Sequence, residues 1–299
     1  YKIRAINFRI PEISISKKFK KIIFQFSAFN YFNTLGTVLV NSLDVMMIAY
    51  LVGLKATGVY STIVFFASAL QVPYKSIIRI SSPLIADYWK HRAFKRMEVL
   101  YQKVSSVSLV IGLGSFIVIW NNIDFLFSFL KPEFKEGISV FLFLMAGRLV
   151  DMYFGLNGSI FVTSKKYVYD IYFTVFLIVA VFILNLILIP MWGISGAAIS
   201  TSVALVIYNL MRVIFVYKTF KIHPFHKNQF VVIGLGLLSL FVGWIISGQI
   251  DNNSVEFVIQ SALVLFFFFS PIYWFKLEPE TVNYFNKCTT FLKTKFMKN

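Results

Sequence analysis

The sequence predicts an all-α, polytopic transmembrane helix bundle of about eight spans, and three observations carry that prediction. Hydrophobic residues make up 58% of the 299 residues and charged residues only 14%, against about 45–50% and about 25% in soluble domains. Eight stretches are apolar enough and long enough to cross a bilayer as helix, which takes about 20 residues each. The positive charges fall on alternate connections between those stretches, as multi-pass topology requires. Thirty-five Phe and a mean hydropathy of +0.74 exclude a disordered chain and leave too few charges to cover a water-soluble enzyme.

The first span covers about 28–52 and the second about 58–82. A third lies between Lys103 and Asp124, over 20 uncharged residues, and the fourth covers about 137–161. From Ile171 to Met211 there are 41 uncharged residues, enough for two spans divided at Pro190-Met191-Trp192-Gly193. The seventh lies between Lys227 and Asp251, and the eighth is Phe257–Phe275, 19 residues without a charge.

Of the 29 Lys and Arg, 22 lie before span 1, between spans 2 and 3, 4 and 5, 6 and 7, and after span 8. The opposite connections carry only Lys55, Lys131 and Lys135. The positive-inside rule therefore places both ends in the cytoplasm. Residues 1–26 read as a basic cytoplasmic linker, 27–220 as a six-helix lobe, 221–275 as two additional spans and 276–299 as a basic cytoplasmic tail. The net charge of +16 is explained by topology and attraction to anionic membrane lipids, and no nucleic-acid partner is expected. The chain opens Tyr-Lys-Ile, and we expect residue 1 to lie inside a longer protein. The largest cytoplasmic connection, Asp87–Lys103, reads as an amphipathic interfacial helix, with Trp89, Phe94, Met97 and Leu100 between basic residues.

Polar residues at bilayer depth cost about 2.5–3.5 kcal/mol each when charged, so those sharing a helix face mark a protein or water interior. In span 1, Asn30, Asn33, Thr37, Asn41 and Asp44 are spaced 3, 4, 4 and 3, one arc of about 80°. Span 2 repeats the pattern with Ser61, Ser68, Gln71, Lys75, Arg79 and Ser82. In span 4, Arg148 and Asp151 lie three apart, with Gly155 and Ser159 continuing the face. Ser61, Ser68, Thr37 and Ser82 taken singly read as interhelical glue. Arg148 is expected to pair with Asp151, and Arg212 to snorkel at the end of span 6. Lys75 and Arg79 sit at i and i+4 with like charge, which calls for a carboxylate or a ligand anion nearby. A cationic, water-filled cavity is the preferred reading.

Soluble-enzyme chemistry finds little support. His91, His223 and His226 lie in cytoplasmic loops, and His223-Pro-Phe-His226 has no Cys or carboxylate neighbours in sequence to complete a metal site. The single Cys288 excludes internal disulfides. There is no phosphate-binding Gly-rich loop followed by Lys and Ser or Thr. Asp124, Glu133 and Glu136 read as rim charges of an outer loop. The chain is expected not to be an enzyme and to need no cofactor.

Two passages carry a resemblance. One is Leu43-Asp44-Val45-Met46-Met47-Ile48-Ala49-Tyr50-Leu51-Val52-Gly53, followed by Thr57-Gly58-Val59-Tyr60 and later Ser82-Pro83. The other runs from Asn185 to Thr201 through Pro190-Met191-Trp192-Gly193-Ile194-Ser195-Gly196-Ala197-Ala198. With Gly155-Leu156-Asn157-Gly158, they resemble the polysaccharide-exporter branch of the multidrug/oligosaccharidyl-lipid/polysaccharide exporter superfamily, the O-antigen-type flippases, over about 27–220.

The resemblance implies a MATE-like fold of two six-helix lobes around a central cavity. This chain would be the C-terminal lobe with two extra helices, and its partner the missing N-terminal lobe of the same protein. It also implies an undecaprenyl-pyrophosphate-linked oligosaccharide as substrate, flipped across the inner (cell) membrane for surface polysaccharide biosynthesis by alternating access. On that reading Lys75, Arg79 and Arg148 attract the pyrophosphate or acidic sugars, and Asn30, Asn33, Asn41 and Gln71 replace sugar hydration. Asp44 and Asp151 are then candidates for coupling-cation sites. The alternatives are a membrane polysaccharide polymerase or lipid-linked glycosyltransferase, disfavoured by short outer loops, and a multidrug cation antiporter, disfavoured by the local excess of cations.

Overall fold

The opening of the first helix, α1 (Lys17–Leu51), is set by a side chain: the Ser16 hydroxyl oxygen accepts from the Phe19 N–H at 3.2 Å, satisfying an otherwise orphaned donor. The computed structural model describes residues 16–247, 253–275 and 277, and among them every regular element is helical. The basic stretch Lys17–Lys21, expected within a linker, is the start of this helix. The second span is two helices, α2 (Leu54–Ala69) and α3 (Gln71–Lys90), bent by 49° at Leu70. The third is α4 (Phe94–Asn121), followed by the short α5 (Ile123–Ser128) and a 3₁₀ turn, Pro132–Gly137.

The fourth span is α6 (Ile138–Phe154) and α7 (Leu156–Thr163), interrupted at Gly155. The Tyr74 hydroxyl occupies the space a β-carbon at 155 would need. Then come α8 (Tyr169–Phe220), α9 (Lys227–Ile246) and α10 (Asn253–Trp274). Among the described residues, six helices are long and apolar enough to cross a membrane, and the bent pair α2–α3 makes a seventh.

The longest of them folds back on itself. As a straight rod, the 52 residues of α8 would extend about 78 Å, well beyond a hydrocarbon core of about 30 Å. Gly193 breaks it, at φ 58° and ψ −135°, a backbone conformation that L side chains rarely adopt. Asn185 and Thr201 both reach the carboxylate of Asp44, although 16 residues of straight helix would hold them about 24 Å apart. Asp170 and Arg212 form an ion pair at 2.8 Å, where a straight helix would separate them by about 63 Å. The two arms are antiparallel, so counting α8 as two brings the candidate spans among the described residues to eight. The division falls at Pro190–Gly193, as the sequence predicts. Gly196 lies so near the Leu188 carbonyl that any side chain there would overlap it, and Ala197 and Ala198 are fully buried.

Between α3 and α4 there is no separate interfacial helix. Residues 91–93 make a tight turn, with Arg92 at φ 51°, and the flanking residues belong to the ends of the two spans. Their apolar side chains find protein partners: Met97 is fully buried, and the Trp89 ring meets Phe220 edge-on at 4.8 Å. Burial against α7 and α8 therefore takes up Met97, Trp89 and Leu100, while Phe94 stays exposed.

The α8 hairpin packs against α1 and α6, while α9 and α10 pack on each other and on α4. The second contact is an apolar cluster of Val110, Ile117, Val232, Val264 and Phe268. Gln229 of α9 pins it by donating to the Ser106 hydroxyl at 2.9 Å and accepting from Tyr153 at 2.6 Å. The loops sort by side as the charge alternation predicts. Lys55 Nζ meets Glu133 at 3.1 Å across two connections assigned to one side. His223 meets Glu98 at 3.4 Å across two assigned to the other.

Candidate functional site: a buried polar seam along the α8 hairpin

Asn33 and Asp44 of span 1 and Asp151 of span 4 meet polar side chains of the α8 hairpin, and Gln71 of span 2 joins them through α6. Asp44 of α1 is buried, and three donors occupy its oxygens: Tyr60 Oη at 2.6 Å, Asn185 Nδ2 at 2.7 Å and Thr201 Oγ1 at 2.6 Å. These come from α2 and both arms of α8, so one carboxylate ties three spans to α1. A buried anion is tolerable only when so solvated by protein donors.

Nearer the open end of the hairpin, Asp170 accepts from Asn33 Nδ2 at 3.0 Å and pairs with Arg212 at 2.8 Å. Thr174 donates to Asn33 Oδ1 at 2.9 Å. The Arg212 guanidinium lies over the rings of Tyr208, at 4.8 Å, and Phe161, at 5.4 Å. Its side chain is only 7% exposed. The snorkelling expected of Arg212 is therefore corrected: Asp170, just outside the uncharged run that delimits span 5, supplies a counter-charge, and the aromatic faces supply the rest.

Between these two centres lies the third. Gln71, the first residue of α3, accepts from Arg148 Nη1 at 2.9 Å and donates to Asp151 Oδ2 at 3.2 Å. Asn209 of α8 donates to the other Asp151 oxygen at 3.2 Å. The direct Arg148–Asp151 pair expected from their spacing is not formed; the Gln71 amide stands between the charges. Arg148 Nε is buried without a partner.

The remaining expected site residues divide. Asn30 donates to the Phe26 carbonyl of its own helix at 2.9 Å. Lys75 and Arg79 are exposed on α3 and make no hydrogen bond or ion pair among the described residues. The side chains of Thr37 and Asn41 lie outside the described residues. Ser82 meets Ser159 at 2.6 Å, linking α3 to α7, while Ser68 bonds the Val64 carbonyl of its own helix. His223 has the carboxylate neighbour that its local sequence lacks, Glu98. No group of three His, Cys, Asp or Glu among the described residues could hold a metal ion.

Sequence reasoning missed Asn185, Thr201, Asn209 and Asp170 as partners. A signal existed in the numbering. Asn185 and Thr201 each lie 8 residues from Gly193, and Asp170 and Arg212 each lie 21 from Met191. Mirror spacing about a turn is what an antiparallel hairpin needs to bring side chains level.

Helices of this length and composition, packed through buried polar side chains, define a multi-pass helical membrane protein. The chain is similar to an uncharacterized membrane protein of Methanocaldococcus jannaschii, 22% identical over 259 residues, which cover 82% of this chain and 49% of the archaeal protein. The chain thus spans about half the length of the curated relative it matches. No protein-family model matches the chain, and no solved structure does.

Proposed function

We propose that the chain is one lobe of a flippase that moves a lipid-linked oligosaccharide, carried on undecaprenyl pyrophosphate, from the inner to the outer leaflet of the cell membrane. Its first span enters from the cytoplasm, and the lobe works by alternating access against a second lobe. The observation that carries the reading is the cationic face of α3 and α6. Arg148 keeps a buried, unpartnered Nε, and Lys75 and Arg79 project unpaired from the second span.

Charges at such a depth are stable only beside a watered cavity, an anion or another protein wall. The resemblance to polysaccharide exporters supplies the substrate class. The match to about half of a longer membrane protein supports a second lobe. Asn30, Asn33 and Gln71 contribute polar lining in this proposal, with Asp44 and Asp151 as coupling-cation candidates.

The test is translocation by the full-length protein in proteoliposomes. A fluorescent polyprenyl-pyrophosphate oligosaccharide placed in one leaflet should become accessible to a glycosidase added on the other side. Efflux of a lipophilic cationic dye, with no movement of the glycolipid, would instead establish a multidrug antiporter.

A further inference from the structure

We infer that Gln71 is a positioning residue that keeps the Arg148 guanidinium out of the grasp of Asp151 and so available to an anion. The inference rests on the cationic-cavity reading above and names what maintains that cavity. Arg148 and Asp151 are three apart on α6, a spacing at which side chains are neighbours on a helix. Opposite charges that close in a low-dielectric surrounding attract strongly, and direct pairing is the default outcome. It is not the outcome here. The Gln71 side chain presents its carbonyl oxygen to Arg148 Nη1 at 2.9 Å and its amide nitrogen to Asp151 Oδ2 at 3.2 Å.

An amide is suited to this position because it donates at one end and accepts at the other while carrying no charge. A Glu would bind Arg148 as an ion pair, and a Lys would bind Asp151. The second hold on the carboxylate, Asn209 Nδ2 at 3.2 Å, keeps Asp151 turned towards α8. The guanidinium bonds a neutral amide rather than a carboxylate, and its buried Nε makes no bond. Gln71 reaches this place because the break at Leu70 starts α3 beside α6, with Gln71 as its first residue. The bend in the second span thus sets the spacing of two charges in the fourth.

The ligand class that fits a guanidinium with unspent donors is a phosphate or pyrophosphate oxyanion. If Asp151 captured Arg148, the fraction of protein competent to bind that anion would fall, and the apparent affinity would fall in proportion.

The experiment measures binding of geranylgeranyl pyrophosphate to the full-length protein in nanodiscs of neutral lipid. Four proteins are compared: wild type, Gln71→Met, Asp151→Asn and the double variant. Met matches the length of Gln and removes both hydrogen-bonding ends. Gln71→Met should weaken binding about tenfold or more. Asp151→Asn is the reference for the double variant, since it removes the capturing carboxylate and leaves Gln71 in place. The double variant should bind within about threefold of Asp151→Asn, because no carboxylate remains to capture Arg148. That recovery also shows that Gln71→Met folds.

Wild-type affinity in Gln71→Met overturns the positioning role and leaves the cavity intact. Weak binding in both Gln71→Met and the double variant assigns Gln71 to direct ligand contact, which also overturns it. No binding by wild type overturns the anion-binding cavity itself, and the inference with it.

Discussion

Arg212→Ala is expected to remove most of the folded protein from the membrane. The change leaves the Asp170 carboxylate, 2% exposed, without its counter-charge and held by the Asn33 amide. Breaking a buried pair from one side typically costs about 3–5 kcal/mol, because the surviving charge is neither solvated nor paired. The guanidinium also fills space between Tyr208 and Phe161, so the truncation opens a cavity. Arg212→Met with Asp170→Asn keeps volume and leaves no charge, and should recover much of the loss. Fluorescence-detected size exclusion of the detergent-solubilised protein, before and after heating, reads both. Were Arg212 a snorkelling residue, the single change would leave the melting profile unaltered.

The second large effect is expected at Asp44. Asp44→Ala strands three donors at once, on Tyr60, Asn185 and Thr201. Each unsatisfied buried group costs about 1–3 kcal/mol, partly offset because a buried charge also disappears. A net loss of about 3 kcal/mol is expected, together with loosening of α1 and α2 from the hairpin. Asp44→Asn should cost less but not nothing, since one of its two ends presents N–H groups where the carboxylate accepts. Thermal stability of the purified variants, with protease susceptibility near Gly193 as a second readout, ranks the two. Equal stability of Asp44→Ala and wild type would show that the three bonds contribute nothing.

Much of the architecture was legible in the sequence because bilayer insertion is written in composition. Apolar runs of about 20 residues and the alternation of Lys and Arg gave the spans and their relative sides. Pro190 and Gly193 marked the hairpin turn within an otherwise uninterrupted run. Bends inside spans were harder to see. The break at Leu70 carries no Pro or Gly at its own position, and the interruption at Gly155 depends on a hydroxyl from α3. The seam was half legible. Periodicity found Asp44, Gln71, Arg148 and Asp151, but periodicity within one helix says nothing about the partner opposite. The partners Asn185, Thr201 and Asn209 sit singly in apolar sequence, and only the folded hairpin brings them level with the carboxylates. Arg148 and Asp151 were adjacent enough to suggest a pair, and a third residue, 77 positions from Arg148, decided otherwise.

The proposed function requires that Arg148 serve a substrate anion rather than the fold. Export of surface polysaccharide by a flippase-null strain carrying the Arg148→Ala, Asp151→Ala double variant tests it most directly. The double change removes both charges, so no unpaired ion is left at bilayer depth to destabilise the helix. If Arg148 holds the lipid-linked anion, the strain accumulates the variant at normal level in the membrane and exports no polysaccharide. Full export at normal protein level would contradict the account and return Arg148 to the packing of α6.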